Sequence, residues 1–334
     1  MILFIFWFKK IKFLYFFFKV IKIFCFVFKT INNLKFLKKF KNKKNYIFYK
    51  IQMKQALLIL MLLSLQVSCF IPGKYFDHVF LMIFENQAFT DVVENADFIN
   101  FSNKGLLLTQ FYARTHPSQP NYITILAGET MGVSDDSNHD VDASNIVDLL
   151  EAKGVSWKSY NEDYPGDCYT GSKSGKYARK HTPFISFLNI QTDSERCAKI
   201  VEGGQLDDDL SDPENLPQFM FYTPNLDNDG HDTDLDTAGS FLTSFFNSRL
   251  ENFPSNTLII ITWDEGEGTE YDTNHIYTAL VGSMIPKGTT DNTNYGMASF
   301  TRLLEENWDL GDLGRGDADA NIMFPLKNRS FMSI

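Results

Sequence analysis

Residues 79–84 and 258–263 are apolar almost without interruption. Neither run alternates with polar positions, so each predicts a parallel strand buried on both faces. Shorter runs of the same kind occur at 106–108, 155–160, 219–222 and 277–281. Helical spacings fall between them: 122–127 stops at Gly128, 146–150 ends before Gly154, and 241–250 forms a third. From about Phe76 onward this alternation predicts an α/β fold, a three-layer α/β/α sandwich with a mostly parallel central sheet. No linker or repeat divides it, so residues 70–334 read as one domain. The acidic stretch 207–214, with Pro213 inside it and Pro217 just beyond, reads as a solvated loop.

The residues just past the two strongest strands carry chemistry. Residues 79–84 run directly into Glu85-Asn86, and 258–263 into Asp264-Glu265. Sites in open parallel sheets lie beyond the carboxyl ends of the strands, so both pairs project at one edge. Three carboxylates and an amide oxygen gathered there repel one another unless a cation sits among them. Hard oxygen donors favour a divalent ion such as Mg²⁺, Ca²⁺ or Mn²⁺. A third stretch, Thr115-His116-Pro117-Ser118-Gln119-Pro120-Asn121-Tyr122, sets a serine between two prolines at the start of a helical segment. Proline is tolerated in the first turn of a helix, where free N–H groups and the dipole favour an anion. A serine there is often only a helix cap, and an acidic residue after a strand often only caps the next helix. Together the three stretches form a constellation.

That constellation has a known counterpart. Glu85-Asn86-Gln87-Ala88-Phe89, His116 to Tyr122, Lys180-His181-Thr182-Pro183-Phe184, Thr223-Pro224-Asn225 with Asp229 and His231, and Trp263-Asp264-Glu265 stand in a familiar order. Over roughly 76–310 the chain resembles the phosphoesterase family that groups acid phosphatases with bacterial phospholipases C, on the alkaline-phosphatase-like fold. The resemblance implies Ser118 as nucleophile and metal ligand, with Glu85, Asn86, Asp264 and Glu265 as the other ligands of one divalent ion. It implies Asn121 as a holder of a phosphate oxygen, and His181 and His231 as lining the pocket. The chain departs from some relatives in carrying Glu265 where they have a second Asp. His116 and His275 are not settled by the resemblance and, with Lys180, remain further pocket candidates. Loops such as 164–176 would set specificity.

The physical chemistry agrees with these roles. A serine hydroxyl attacks phosphorus poorly until deprotonated, and contact with a divalent cation lowers that cost. A histidine on the far side can protonate the leaving alkoxide. The implied activity is hydrolysis of small phosphate monoesters through a phosphoserine. A phospholipase C is the alternative among enzymes, though those carry more length beyond the catalytic core. A non-catalytic calcium-binding secreted module is the alternative of another class. Asn225, Asp227, Asp229, Gly230 and Asp236 nearly spell a calcium loop, but both end positions are substituted and a strand-like run precedes it. That stretch reads better as the loop delivering His231.

Charge divides the chain. Its net charge of −10 hides 13 lysines and no acidic residue within 1–52, leaving 18 basic against 41 acidic residues elsewhere, a balance of −23. So acidic a body excludes a sequence-independent grip on nucleic acid or on anionic membranes. Residues 1–52 contain no Ala, Gly, Pro or Ser and hold 13 of the 32 phenylalanines. Lys9, Lys12, Lys19, Lys22 and Lys29 would suit a basic membrane-surface helix. We read the segment instead as translated upstream sequence ahead of the true start. Met53 opens a short charged region, an apolar run at 56–65 and a cleavage-like Val67-Ser68-Cys69, the form of a secretory signal peptide. The mature chain is then expected to begin near Phe70, secreted or lumenal, with no stable membrane insertion. Removal of Cys25 and Cys69 leaves Cys168 and Cys197 as a pair in an oxidising compartment. Asn100-Phe101-Ser102 and Asn328-Arg329-Ser330 are glycosylation acceptors on the same route.

Overall fold

Strand β1 (His78–Phe84) is buried at all seven positions, the burial expected of a run without polar interruption. It sits inside an eight-stranded sheet in a computed structural model that describes residues 70–267 and 272–323. The upstream segment 1–52, the signal-like run 53–69 and the acceptor Asn328 lie outside the described residues.

After β1 come α1 (Ala96–Ser102), β2 (Leu106–Leu108), α2 (Ser118–Ala127) and α3 (Ile146–Lys153). Next are β3 (Trp157–Asn161), β4 (Ile200–Glu202), β5 (Phe219–Thr223) and α4 (Leu235–Arg249). The chain continues through β6 (Thr257–Trp263), β7 (Thr278–Val281), β8 (Thr289–Asp291) and α5 (Ala298–Trp308). The strand order is β8-β2-β7-β6-β1-β5-β3-β4. Strand β7 runs antiparallel to both its neighbours, and the other pairings are parallel. The sheet is therefore mostly parallel, as the uninterrupted runs predict.

Adjacent residues of β5 show the three layers. Phe221 faces Tyr122 of α2, with ring centroids 6.4 Å apart. Tyr222, pointing the other way, meets Phe245 of α4 at 4.8 Å. On the α4 side Phe80 of β1 is ringed by Phe245, Phe246 and Phe253 at 5.8, 6.0 and 5.1 Å. Each such aromatic pair adds about 0.5–1.5 kcal/mol beyond its burial. Helices α2, α3 and α5 pack on one another, and α1 packs on α4.

Helix ends follow local chemistry. Asn145 caps α3 with a reciprocal box: its Oδ1 accepts the Val147 N–H at 2.9 Å, and Asp148 Oδ2 accepts the Asn145 N–H at 3.0 Å. Gly154 closes the helix in the left-handed region, as the spacing predicts. Helix α4 begins six residues before the predicted 241, because Asp234 accepts the Thr237 N–H and starts it among weak helix formers.

The acidic stretch corrects one expectation. Residues Gln205–Leu210 form a helix, so 207–210 are helical where the sequence reads as a loop, while 211–214 are exposed and outside any helix or strand. Leu206 and Leu210, four apart, are both buried, and Asp207 and Asp208 sit in the first turn where the dipole favours them. Cys168 and Cys197 are disulfide-bonded, with Cα atoms 5.7 Å apart, as their pairing predicts. No helix among the described residues is long and apolar enough to cross a membrane.

Candidate active site

In the parallel register of β1 and β6, Phe84 lies opposite Trp263. Glu85 and Asp264 therefore leave the sheet side by side at its carboxyl edge, and the Asp264 N–H donates to the Phe84 carbonyl at 2.9 Å. Asn86 takes a left-handed conformation (φ 59°), which asparagine tolerates better than most residues. That turn aims its N–H at Asp264 Oδ1, 3.1 Å away.

Helix α2 begins at Ser118 beneath this edge, and Ser118 is buried. Its Oγ lies 3.0 Å from Glu265 Oε1 and 3.2 Å from Glu85 Oε2. The second Glu265 oxygen contacts His116 Nδ1, and the second Glu85 oxygen accepts the Tyr122 hydroxyl. The turn before Ser118 is held by Asn121. Its Oδ1 accepts the N–H groups of Arg114 and Thr115 at 2.9 and 3.1 Å, and its Nδ2 donates to the Thr115 carbonyl at 2.7 Å. Asn121 is buried, and its amide bonds hold the turn that leads into Ser118.

A second grouping shares Glu85. His181 Nε2 lies 3.1 Å from Glu85 Oε2, and its Nδ1 lies 3.4 Å from Asp229 Oδ2. Burial alone would push the His181 imidazole down. The two facing carboxylates outweigh it and hold the ring up at about 9. Burial likewise pushes Glu85 up, but the His181 and Lys180 charges prevail and hold it down at about 2. Asp229 goes the other way: burial, only partly offset by His181, pushes it up to about 6. One donor atom each from Glu85, His181 and Asp229 lie within 4.8 Å of one another, a group that could hold a metal ion.

The carboxylates around Ser118 lie beside that group and share Glu85 with it. Asp264 is pushed well up by burial and by the charges of Glu85 and Glu265. Glu265 is pushed up mainly by burial. Asp264 Oδ2, although buried, has no hydrogen-bond partner among the described residues. An orphaned carboxylate oxygen beside two more carboxylates and a serine hydroxyl is a hard-oxygen donor set suited to a divalent ion.

Facing this edge, Lys180 Nζ lies 2.9 Å from Asp136 Oδ2 and 3.3 Å from His231 Nε2. The His231 Nδ1 faces Asp232 Oδ1 at 2.9 Å. Asp136 also accepts the Gln119 N–H at 3.0 Å, so it joins the first turn of α2 to Lys180. Gly230 (φ 96°) makes the turn that places Asp229 and His231 on one side of the loop. Asp227 is paired with Lys176 at 2.5 Å and Asp229 faces His181, so the near-calcium-loop residues diverge.

The structure thus brings Glu85, Asn86, Ser118, Asp264, Glu265, His116, Lys180, His181 and His231 to one sheet edge. His275 is held elsewhere, its Nε2 3.0 Å from the Thr109 carbonyl and its ring stacked on Phe89 and Tyr112. Sequence reasoning missed Tyr122, Asp136, Asp229 as the partner of His181, and Asn274. Asn274 Oδ1 accepts the Gly266 N–H at 2.8 Å while its Nδ2 donates to the Thr115 carbonyl at 2.9 Å, tying Glu265's loop to the serine's. Tyr122 closes the stretch around Ser118 and Asp229 lies two positions before His231; Asp136 and Asn274 left no trace.

The Phosphoesterase family profile matches residues 94–311. A phosphate-repressible acid phosphatase of Penicillium chrysogenum is 37% identical over 265 residues, which cover 76% of this chain and 64% of its own. A phosphatidylinositol-3-phosphatase of Mycobacterium tuberculosis is 32% identical over 228 residues, 65% of this chain and 72% of its own. In structure the chain is similar to a Vibrio parahaemolyticus protein of the alkaline phosphatase superfamily, with a TM-score of 0.51 and 13% identity over 74% of this chain and 70% of that one. That likeness is one of fold. The chain spans 64% of the length of the Penicillium enzyme. On the profile match and the sequence identity, it belongs to the Phosphoesterase family.

Proposed function

We propose that the chain is a phosphatase that hydrolyses small phosphate monoesters through a phosphoserine at Ser118. One observation carries this reading: the Ser118 hydroxyl, at the N-terminus of α2, stands between the carboxylates of Glu85 and Glu265. A nucleophile needs a proton acceptor within hydrogen-bond reach and a positive field for the phosphoryl group, and both are supplied here. The acid phosphatase relative supports the same activity.

Glu85, Asn86, Asp264, Glu265 and Ser118 would hold a divalent cation, which would supply Lewis-acid stabilisation of the alkoxide and of the phosphoryl oxygens. Glu265 Oε1 accepts the proton of Ser118 as Oγ bonds to phosphorus and the bond from phosphorus to the leaving oxygen breaks. Lys180 enters the reaction charged: burial lowers its pKa, but Glu85, Asp136 and Asp264 raise it more. It therefore offsets the charge of the transferred group, which is most of what phosphoryl transfer asks of a protein. A proton from Lys180 Nζ, relayed with His231 Nε2, passes to the departing alkoxide. Water then attacks the phosphoserine, returns a proton to that pair, and inorganic phosphate leaves as Ser118 regains its proton from Glu265. His181, charged and buried between Glu85 and Asp229, orients Glu85. The Cys168–Cys197 bond supports a secreted or lumenal location, since disulfides persist in oxidising compartments.

Rapid acid quench of the wild type with phosphorus-labelled p-nitrophenyl phosphate tests the reading. The label is expected on the tryptic peptide containing Ser118 and is absent in Ser118→Ala, with or without chelator. Label on a histidine, or none despite burst kinetics, overturns the nucleophile. No turnover by the wild type supports the calcium-binding module instead.

A further inference from the structure

Strands β3 and β5 end together, with Asn161 opposite Thr223 in their parallel register. The Asn161 Oδ1 accepts the Thr223 hydroxyl at 2.8 Å and the Thr182 hydroxyl at 2.9 Å, which fills both of its lone pairs. Its Nδ2 donates to Ser159 Oγ at 3.1 Å and so fixes which way the amide faces. All four side chains are buried. We infer that Asn161 is a positioning residue for the reaction, setting His181 against Asp229 and Glu85 through the hydroxyls of Thr182 and Thr223. The inference rests on the phosphatase reading and deepens it.

His181 ends a single short helical turn, Arg179–His181, and one turn of helix has little stiffness of its own. Thr182 comes next, and its N–H closes that turn on the Arg179 carbonyl at 2.9 Å. Its hydroxyl then ties the turn to the end of β3. Thr223, held by the same oxygen, leads into the loop that carries Asp229. Glu162, the residue after Asn161, extends that hold. Its Oε2 accepts the Asn225 N–H at 2.9 Å and the Asn228 Nδ2 at 2.7 Å. The Asp229 N–H in turn donates to the Asn225 carbonyl at 2.9 Å. His181 Nδ1 and Asp229 Oδ2, 3.4 Å apart, are therefore both placed from one strand end. The other ring nitrogen of His181 lies 3.1 Å from Glu85 Oε2, the oxygen that also faces Ser118 Oγ. A displaced turn would thus reach the carboxylate beside the nucleophile. Ser159 and Thr223 alone would satisfy both ends of the Asn161 amide, so the Thr182 bond is the one directed toward the site.

The test is a pair of substitutions at Thr182. Thr182→Val keeps the shape and removes the hydroxyl, while Asn161 Oδ1 keeps Thr223 as a donor and is not left unpaired. Thr182→Ser keeps the hydroxyl. On p-nitrophenyl phosphate, Thr182→Val is expected to lower kcat by about tenfold, the worth of one buried hydrogen bond, with KM within about twofold of the wild type. Thr182→Ser is expected to restore most of that loss. In a His181→Gln background the effect of Thr182→Val should vanish, because the group it positions is gone, whereas a merely structural bond gives the same factor in both backgrounds. The His181 imidazole signals in nitrogen NMR should move in Thr182→Val and return in Thr182→Ser. This readout decides the matter if His181→Gln turns over too slowly to measure. If Thr182→Val does not fold, Thr223→Val removes the other donor and carries the same comparison. An unchanged kcat, equal losses in the Val and Ser variants, the same factor in both backgrounds, or unmoved imidazole signals overturn the positioning role and leave ester hydrolysis standing. No turnover of any ester by the wild type overturns the phosphatase reading and this role with it.

Discussion

The Ser118 hydroxyl stands 3.0 Å from Glu265 Oε1, within reach for direct proton transfer. Asp264, the neighbouring residue, has an orphaned oxygen instead. The two acidic residues of one pair should therefore fail differently. Asp264→Asn is expected to weaken Mn²⁺ binding by about tenfold or more and to lower turnover with it, and excess metal should restore part of the loss. Glu265→Gln is expected to lower kcat by about 10²–10³ in a way that added metal does not repair, since a base is gone. Calorimetric metal titration beside steady-state kinetics separates them. Identical profiles would mean that Glu265 serves only as a ligand.

Asn121 makes its case through stability as well as rate. Asn121→Ala leaves two N–H donors, those of Arg114 and Thr115, without their acceptor. Each buried donor left unpaired costs about 1–3 kcal/mol, less where water reaches the half-exposed turn. Urea denaturation should show a loss in that range, and kcat should fall while KM for phosphate esters moves little. A rise in KM with kcat intact would instead favour Asn121 as a phosphate contact.

The opposite end of α2 gives a purely structural test. Gly128 closes the helix at φ 75°, and a Cβ built there would stand 2.4 Å from Asp317 Oδ1. Gly128→Ala thus adds a clash to a left-handed strain, together about 1–3 kcal/mol. For a domain of this size that is a fall in melting temperature of about 2–4 °C per kcal/mol. A neutral result would show that the segment carrying Asp317 moves aside freely.

Much of this was legible because hydrophobic pattern and strand-end chemistry are local. The runs at 79–84 and 258–263 read as buried parallel strands, and their ends named Glu85, Asn86, Asp264 and Glu265. The fact that Phe84 and Trp263 share a register, which brings those pairs together, is a long-range property with no local trace. Asn121 shows the reverse: its position one turn past Ser118 was visible, but its amide is consumed by a turn whose path only the fold defines. Tyr122 and Asp136 were hidden because an aromatic in a helix reads as core and an aspartate in a polar loop reads as solvated. The Gln205–Leu210 helix was obscured by its charge, although two leucines four apart were there to read.

Glu305 offers a pH test far from any metal ligand. It lies on α5, buried, with Arg302 Nη1 3.8 Å away and the Asp317 carboxyl as a neighbour. Burial pushes its carboxyl up first, and the Asp317 carboxyl pushes it further, to about 8, against a weaker pull from Arg302. The ordinary value is 4.5, so between about 4.5 and 8 the folded chain holds a proton that the unfolded chain has released. Stability then falls as pH rises through that window, because the unfolded state binds fewer protons there. The contribution is fully present below about 4.5 and lost above about 8. Glu305→Gln keeps a neutral side chain at every pH and removes this dependence. Melting curves from pH 5 to 8.5 should show the wild type losing more stability than the variant toward the alkaline end, with the two close together at pH 5. Parallel curves across the range would mean that Glu305 is already ionised in the fold at neutral pH.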